Sequence, residues 1–420
     1  MTRTERQQAA VRKWIKAKGK GTIVMPTGVG KTFTAFIAIK AILKKYPTMR
    51  VLVVVPTTSL KEQWSQKVVE EDLVFNIEVQ VINTVVKHSW QCDILVIDEI
   101  HRVASDLFKL VFKCVKYKLV LGLTATFDRL DGKQTIISKY CPIIDEVYLI
   151  EAQVNGWIST YKEYQVLIEV DDIEVYKKLN KEWLEHFEFF QFDWNLAMSM
   201  VKPNVGWRNK LAYRDIIYKG DNEDERKRIL NQINYHSAGF MRTMQQRKAF
   251  INNHPKKIEI AKKIIDARSD KKIITFSNNV KMAEAIDNGK YVYTGQTSKK
   301  KGRVMIENFL SGTITRLHSC KKLDEGFDCP DISVGIILGT DSSETKARQR
   351  RGRTVRKFGN KEAEIFYLVI KDTVEEKWVK NSHKNDSNYI TIDENGLDQV
   401  LRGEQPELYK KKLGELVFRF

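Results

Sequence analysis

Apolar residues recur along this chain in two rhythms. Short unbroken runs, Val51–Val55, Asp93–Ile97 and Lys118–Leu123, have the length of strands buried on both faces. Between them the spacing turns helical, as in residues 5–18, where Ala9, Ala10, Val11, Trp14, Ile15 and Ala17 share a face, and in residues 32–45. A second alternation begins near residue 256. It predicts helices over 257–268, 280–287 and 301–310, and strands over 273–276, 291–293, 313–317, 334–338 and 364–369. Continuous apolar strands alternating with helices imply α/β architecture with parallel sheets covered on both faces. The working loops of such sheets lie at the C-terminal ends of the strands. The reading is two similar lobes, 1–150 and 256–370, with a linker strand and helical insertion at 151–255. Residues 371–420 form a small C-terminal appendage with one strand, Tyr389–Ile392.

Charge narrows the class of partner. In 420 residues, 71 Lys and Arg face 53 Asp and Glu, a net +18 with a pI near 9.4. That suits a polyanion, with nucleic acid as the default and an acidic membrane surface as the rival. The apolar runs fall far below the ~18 residues a membrane span needs. The N-terminal residues carry charge with no apolar core behind them, so they are not a secretory signal. Five cysteines, none in a Cys-x-x-Cys pair, argue against a zinc site or disulfide framework and suit reduced thiols in a cytoplasmic protein. Residues 201–257 hold thirteen Lys and Arg, including Arg226, Lys227 and Arg228, against five acids. Phe187, Phe189, Phe190, Phe192, Trp194 and Trp207 cluster beside them. Either these aromatics join the bases in a nucleic-acid surface, or they form the core of a helical subdomain whose charges are solvated.

The candidate chemistry begins at Gly21–Thr32. Apolar, β-branched residues lead into Pro26, Thr27, Gly28, Val29 and Gly30, and then Lys31 and Thr32 open a helix. Such a loop turns its N–H groups inward, and the helix N-terminus favours an anion. In such a loop the lysine reaches the β- and γ-phosphates of a nucleotide and the Thr32 hydroxyl ligates Mg²⁺. Met25 stands where the strict pattern has glycine. After the strand 94–97 comes Asp98-Glu99-Ile100-His101. Asp98 is placed to hold the metal and Glu99 to orient and deprotonate an attacking water. His101, on the same loop, is placed to sense the γ-phosphate.

Met25–Thr32 and Asp98–His101 resemble motifs I and II of the superfamily 2 helicases, whose first motif normally lacks the leading glycine. Further matches follow in order over roughly residues 3–370. Gln7 resembles the adenine-reading glutamine upstream of motif I. Val55–Leu60 with Gln63-Trp64, and Val81–Thr84, are similar to motifs that imply nucleic-acid backbone contacts through Pro56, Thr57 and Thr84. Leu123–Thr126 resembles motif III, whose hydroxyls on Thr124 and Thr126 couple hydrolysis to movement. Thr275–Ser277 resembles motif IV, with Ser277 as a further backbone contact. Leu323–Asp328 resembles motif V, with Gly326 and Asp328 on the nucleotide, and Gln349–Arg356 resembles motif VI.

The resemblance implies two tandem RecA-like domains and an ATPase in which Gln349, Arg353 and Arg356 complete the site from the second lobe. Arg353 and Arg356 lie three apart, hence on one helix face, and their forks match phosphate oxygens. Arg350 is expected to pair with the acidic loop of the first lobe.

Residues 121–132, 155–158 and 324–328 resemble the XPB-like and UvsW-like branch of duplex-DNA translocases, whose thumb-like DNA element the insertion would replace. The implied partner is DNA, as duplex, fork, junction or single strand, worked by a monomeric motor. The chain starts almost at motif I, so the branch's N-terminal DNA-binding domain is expected to be absent. Cys320 stands where motif V usually offers a hydroxyl. An RNA helicase, an ATP-switched binding module and the motor of a nuclease system remain the alternatives.

Overall fold

The computed structural model describes residues 1–104, 108–125, 134–320, 329–340, 344–383 and 389–409. The first lobe contains strands β1 (Lys20–Val24), β2 (Val51–Val55), β3 (Ile77–Val81), β4 (Trp90–Gln91), β5 (Ile94–Asp98), β6 (Val115–Lys116), β7 (Leu119–Thr124) and β8 (Ile143–Glu146). β4 and β6 pair apart from the rest, and the other six form one parallel sheet in the order β3-β2-β5-β7-β1-β8. β2 and β5 are buried at every position because helices cover both faces, which is why their runs are unbroken. The central β1, β5 and β7 carry the phosphate loop, the two acids and Thr124 on adjoining C-terminal ends.

The second sheet uses β9 (Thr160–Ile168), β10 (Ile273–Ser277), β11 (Val292–Thr294), β12 (Arg316–Cys320), β13 (Val334–Ile337), β14 (Glu362–Ile370) and β15 (Ile390–Ile392). All its pairings are parallel, in the order β11-β12-β10-β13-β14-β9-β15. Two strands therefore lie outside the stretch 256–370 that the pattern assigns to the second lobe. β9, read as a linker, pairs with β14 along its whole length, and β15, read as part of an appendage, pairs with β9. The pattern gives this strand but not its place in the second sheet, since its partner β14 lies far along the chain and its inward Glu163 and Gln165 are polar yet buried.

The insertion comprises helices Ile173–Glu188, Trp194–Val201, Gly206–Ile217 and Glu223–Asn253. Phe190, Ala197, Met200, Tyr213, Ile233 and Phe240 form its core, with Trp183, Phe187 and Phe189 packed against it. The reading of these aromatics as the core of a helical subdomain is what the packing shows, and Phe192, Trp194 and Trp207 stay exposed. Where the chain enters and leaves this subdomain, His254 Nε2 meets Asp172 Oδ1 at 3.0 Å. Local chemistry sets the helix ends. Thr2 and Glu5 form a capping box on helix Arg3–Lys16, and His254 caps helix Pro255–Ala267, where proline at the first turn lacks only an N–H the helix cannot use. No helix among the described residues is long and apolar enough to cross a membrane.

Candidate nucleotide and hydrolysis site

β1 delivers the chain into the loop 25–30. Gly28 and Gly30 have φ of 96° and 98°, a region costly for side chains, and Val29 N donates to Pro26 O at 3.2 Å. A Cβ on Gly30 would also stand 2.5 Å from Gln7 Nε2. That amide donates to Val29 O at 2.7 Å, leaving Gln7 Oε1 buried without a partner, an acceptor suited to the amine of a base. Helix Lys31–Leu43 starts from Gly30 with no side-chain cap, so its first N–H groups remain for an anion. The helix bearing Gln7 is fastened by Arg6, which pairs with Asp145 and donates from Nε to Glu151 at 2.8 Å. Sequence reading passed over these residues, because partners some 140 positions away leave no local signal.

Asp98 ends β5 and Glu99 follows it. Asp98 accepts from Trp64 Nε1 at 2.9 Å and from Glu99 N at 3.0 Å. Burial, and then the neighbouring Glu99, push its carboxyl above the usual range. Glu99 moves the other way. Burial opposes its charge, but Lys31 and His101 outweigh that and hold it low. Lys31 Nζ lies 3.4 Å from Glu99 Oε1, while His101 Nδ1 lies 3.4 Å from Glu99 Oε2 and 2.9 Å from Thr124 Oγ1. The structure thus joins Lys31, Glu99, His101 and Thr124 in one continuous cluster. A buried carboxylate and the Thr32 hydroxyl are hard oxygen donors of the kind Mg²⁺ takes. Thr126, Gly326 and Asp328 lie outside the described residues.

The second lobe closes the site with helix Glu344–Thr354, where Gln349, Arg350, Arg351 and Arg353 are all buried. A Cβ on Gly352 would meet Thr27 Cβ at 2.4 Å, and one on Gly28 would lie 3.5 Å from both Arg356 Cγ and Ile158 Cγ2. The phosphate loop therefore packs directly on the arginine segment. Burial lowers the Arg356 guanidinium to about 10. Ser159, just after the lobe crossing, donates from N to Val355 O and from Oγ to Arg356 O, both at 2.9 Å. Arg350 departs from expectation. It donates to Gly339 O at 2.7 Å and Asn278 Oδ1 at 3.2 Å, and neither Asp98 nor Glu99 is its partner. Both of these partners belong to the second lobe's own strand-end loops.

The expected nucleic-acid contacts are spread widely. Thr57 caps the helix after β2, accepting from Leu60 N at 3.3 Å, and exposed Thr84 follows β3, the strand paired with β2. Pro56 is half-buried beside Thr57. Ser277 corrects its expectation. It is 1% exposed, and its hydroxyl donates to Asn279 O at 2.9 Å, so it is packed where a backbone contact would need it open. Arg226 donates to Gly220 O at 3.1 Å, with Lys227 and Arg228 exposed beside it. This basic end of the long helix lies on the order of 40 Å from the end that touches the second lobe, at 1.5 Å per residue.

Residues 1–74 and 77–129 match the family model described as type III restriction enzyme, res subunit, and residues 256–358 match the helicase conserved C-terminal domain. The chain is 25% identical to the DNA 3'-5' translocase XPB2 of Sulfurisphaera tokodaii, over 88% of this chain and 82% of that protein. It is 24% identical to the XPB helicase/translocase subunit of factor IIH from Drosophila melanogaster, covering 84% of this chain but 42% of the fly protein. Its fold superposes on the Pyrococcus furiosus Hef helicase domain with a TM-score of 0.54 at 19% identity, over 90% of this chain and 97% of that one.

Proposed function

Because the chain belongs to the superfamily 2 helicases, on their XPB-like side, we propose that it is an ATP-driven translocase or helicase working as a monomer on duplex, forked or branched DNA. One observation carries the reading. The phosphate loop of one lobe and the arginine segment of the other press together at Gly28, Thr27, Gly352 and Arg356, so both lobes furnish a single crevice.

In that crevice the loop N–H groups and Lys31 hold the β- and γ-phosphates of ATP, and Gln7 takes the base. Thr32 and Asp98 would hold Mg²⁺, which when bound would neutralise phosphate charge. Glu99 orients the attacking water and accepts its proton. As Lys31 turns to the triphosphate, Glu99 loses the ammonium that keeps its basicity low, which ties deprotonating power to substrate. Arg353, on the helix Glu344–Thr354, and Arg356, two residues past its end and so not on the shared helix face the spacing suggests, stabilise charge on the transferred phosphoryl group, and Gln349 steadies that helix. His101 and Thr124 pass the state of the γ-phosphate to β7. Pro56, Thr57 and Thr84 grip the DNA backbone on the first lobe, and Arg226, Lys227 and Arg228 grip it on the insertion. We extend to this chain the 3'-5' direction in the archaeal relative's name. Remodelling of forks and junctions by such a motor serves repair, recombination or replication.

The test is ATPase stimulation compared across single-stranded DNA, duplex, fork, four-way junction and RNA. The expected order places duplex-containing DNA first. Equal or greater stimulation by RNA overturns the DNA assignment.

A further inference from the structure

The long helix Glu223–Asn253 ends on two asparagines, and both are tied to the loop after β10. Asn278 Nδ2 donates to Asn252 Oδ1 at 3.1 Å, and Asn279 Nδ2 donates to Asn253 Oδ1 at 2.8 Å. Asn278 spends its remaining groups in the opposite direction. Its amide also donates to Thr340 O at 3.2 Å, and its Oδ1 accepts from Arg350 Nη2 at 3.2 Å. Arg350 lies three residues before Arg353 on the arginine helix, and so one turn away. Close approach here is built in, since a Cβ on Gly339 would stand 2.7 Å from Asn278 Cγ. The same carboxamides edge a cavity of about 580 Å³ lined also by Gln245, Lys248 and Gln296. The ladder therefore borders solvent and can be remade.

We propose that Asn278 is a positioning residue that couples the helical insertion to the arginine helix, through the chain Asn252–Asn278–Arg350. Its carboxamide holds both elements at once, by a donor on one side and an acceptor on the other. When DNA loads the insertion and tilts the long helix, Asn252 pulls on Asn278. That shift resets the bond to Arg350 and with it the register of Arg353 across the crevice. The inference rests on the proposed motor function and names a route by which its polyanion regulates its ATPase.

The test compares the full chain with Asn278→Ala, Asn278→Asp, Asn252→Ala and the Asn252→Ala/Asn278→Ala pair, measuring turnover with and without duplex DNA, KM for ATP, and Tm. Asn278→Asp retains the acceptor for Arg350 but loses the donor to Asn252 and Thr340. It should therefore keep basal turnover and KM within about twofold while DNA stimulation falls about tenfold. Asn252→Ala should lose stimulation to the same degree, and the pair should be no worse than Asn278→Ala alone, as for residues acting in series. Stimulation that survives in Asn278→Asp and Asn252→Ala, losses that add in the pair, or equal loss of basal and stimulated turnover overturns the relay. Absence of DNA stimulation in the parent chain overturns the motor reading, and the relay with it.

Discussion

Glu99 holds φ at 51° directly after a fully regular strand, a conformation that costs a non-glycine residue about 1–3 kcal/mol. From this conformation its carboxylate lies beside Lys31 and His101. Glu99→Gln should bind ATP normally and turn over about 10²–10⁴-fold more slowly. Near-parental turnover in a steady-state assay removes Glu99 from the role of base.

Glu163 is a second buried acid. It pairs with His383, takes the Tyr367 hydroxyl at 3.3 Å, and faces Arg351 at 3.6 Å. Burial opposes its charge, but Arg351 and His383 outweigh burial and hold the carboxyl below its ordinary value. With the folded value depressed, its stabilisation is complete above the unfolded pKa of about 4.3 and is lost as pH falls below it. Glu163→Gln should cost about 3–5 kcal/mol near neutrality and flatten the fall of Tm between pH 5 and 3. A mutant acid limb as steep as the parent's contradicts this. Lys31, Asp98 and Glu99 were legible in the sequence because their chemistry is local. Glu163 was not, since its meaning depends on a histidine 220 positions away.

At the level of elements, unbroken apolar runs identified β2, β5 and β7 well, and helical spacing placed the helices that cover them to within a few residues. The reading was less complete at two strands that bury polar groups, one in its sheet and one in its bounds. β9 carries Glu163 and Gln165 inward, and β12 buries His318 and Ser319, which shifted its expected position from 313–317 to Arg316–Cys320. In the long helix, Glu223, Asp224 and Glu225 fill the first turn, where negative charge suits the helix dipole, and the bases follow directly. Reversing Arg226, Lys227 and Arg228 should reduce the slope of log K against log[salt] by about 1–3 units, because each neutralised phosphate contributes nearly one. An unchanged slope in a DNA-binding titration removes this end of the helix from the interface.

For the whole molecule, closure depends on a residue the sequence reading assigned no role. Gly352 admits Thr27 so closely that any side chain holds the lobes apart. Gly352→Val should leave the fold intact and lower kcat by about 10²-fold, the scale of a displacement near one ångström at a reacting centre. Unaltered kcat would mean that turnover proceeds from a more open arrangement.

The clasp between Asp172 and His254 has a different consequence. The insertion departs from and returns to neighbouring points on the second lobe, which lets it be excised as one piece. A short glycine bridge in place of residues 173–253 should spare both sheets and give a smaller engine whose ATP turnover responds only weakly to its track, through the first lobe's grip alone. Homologous cassettes could then be exchanged at that seam to retune which DNA shape the engine obeys.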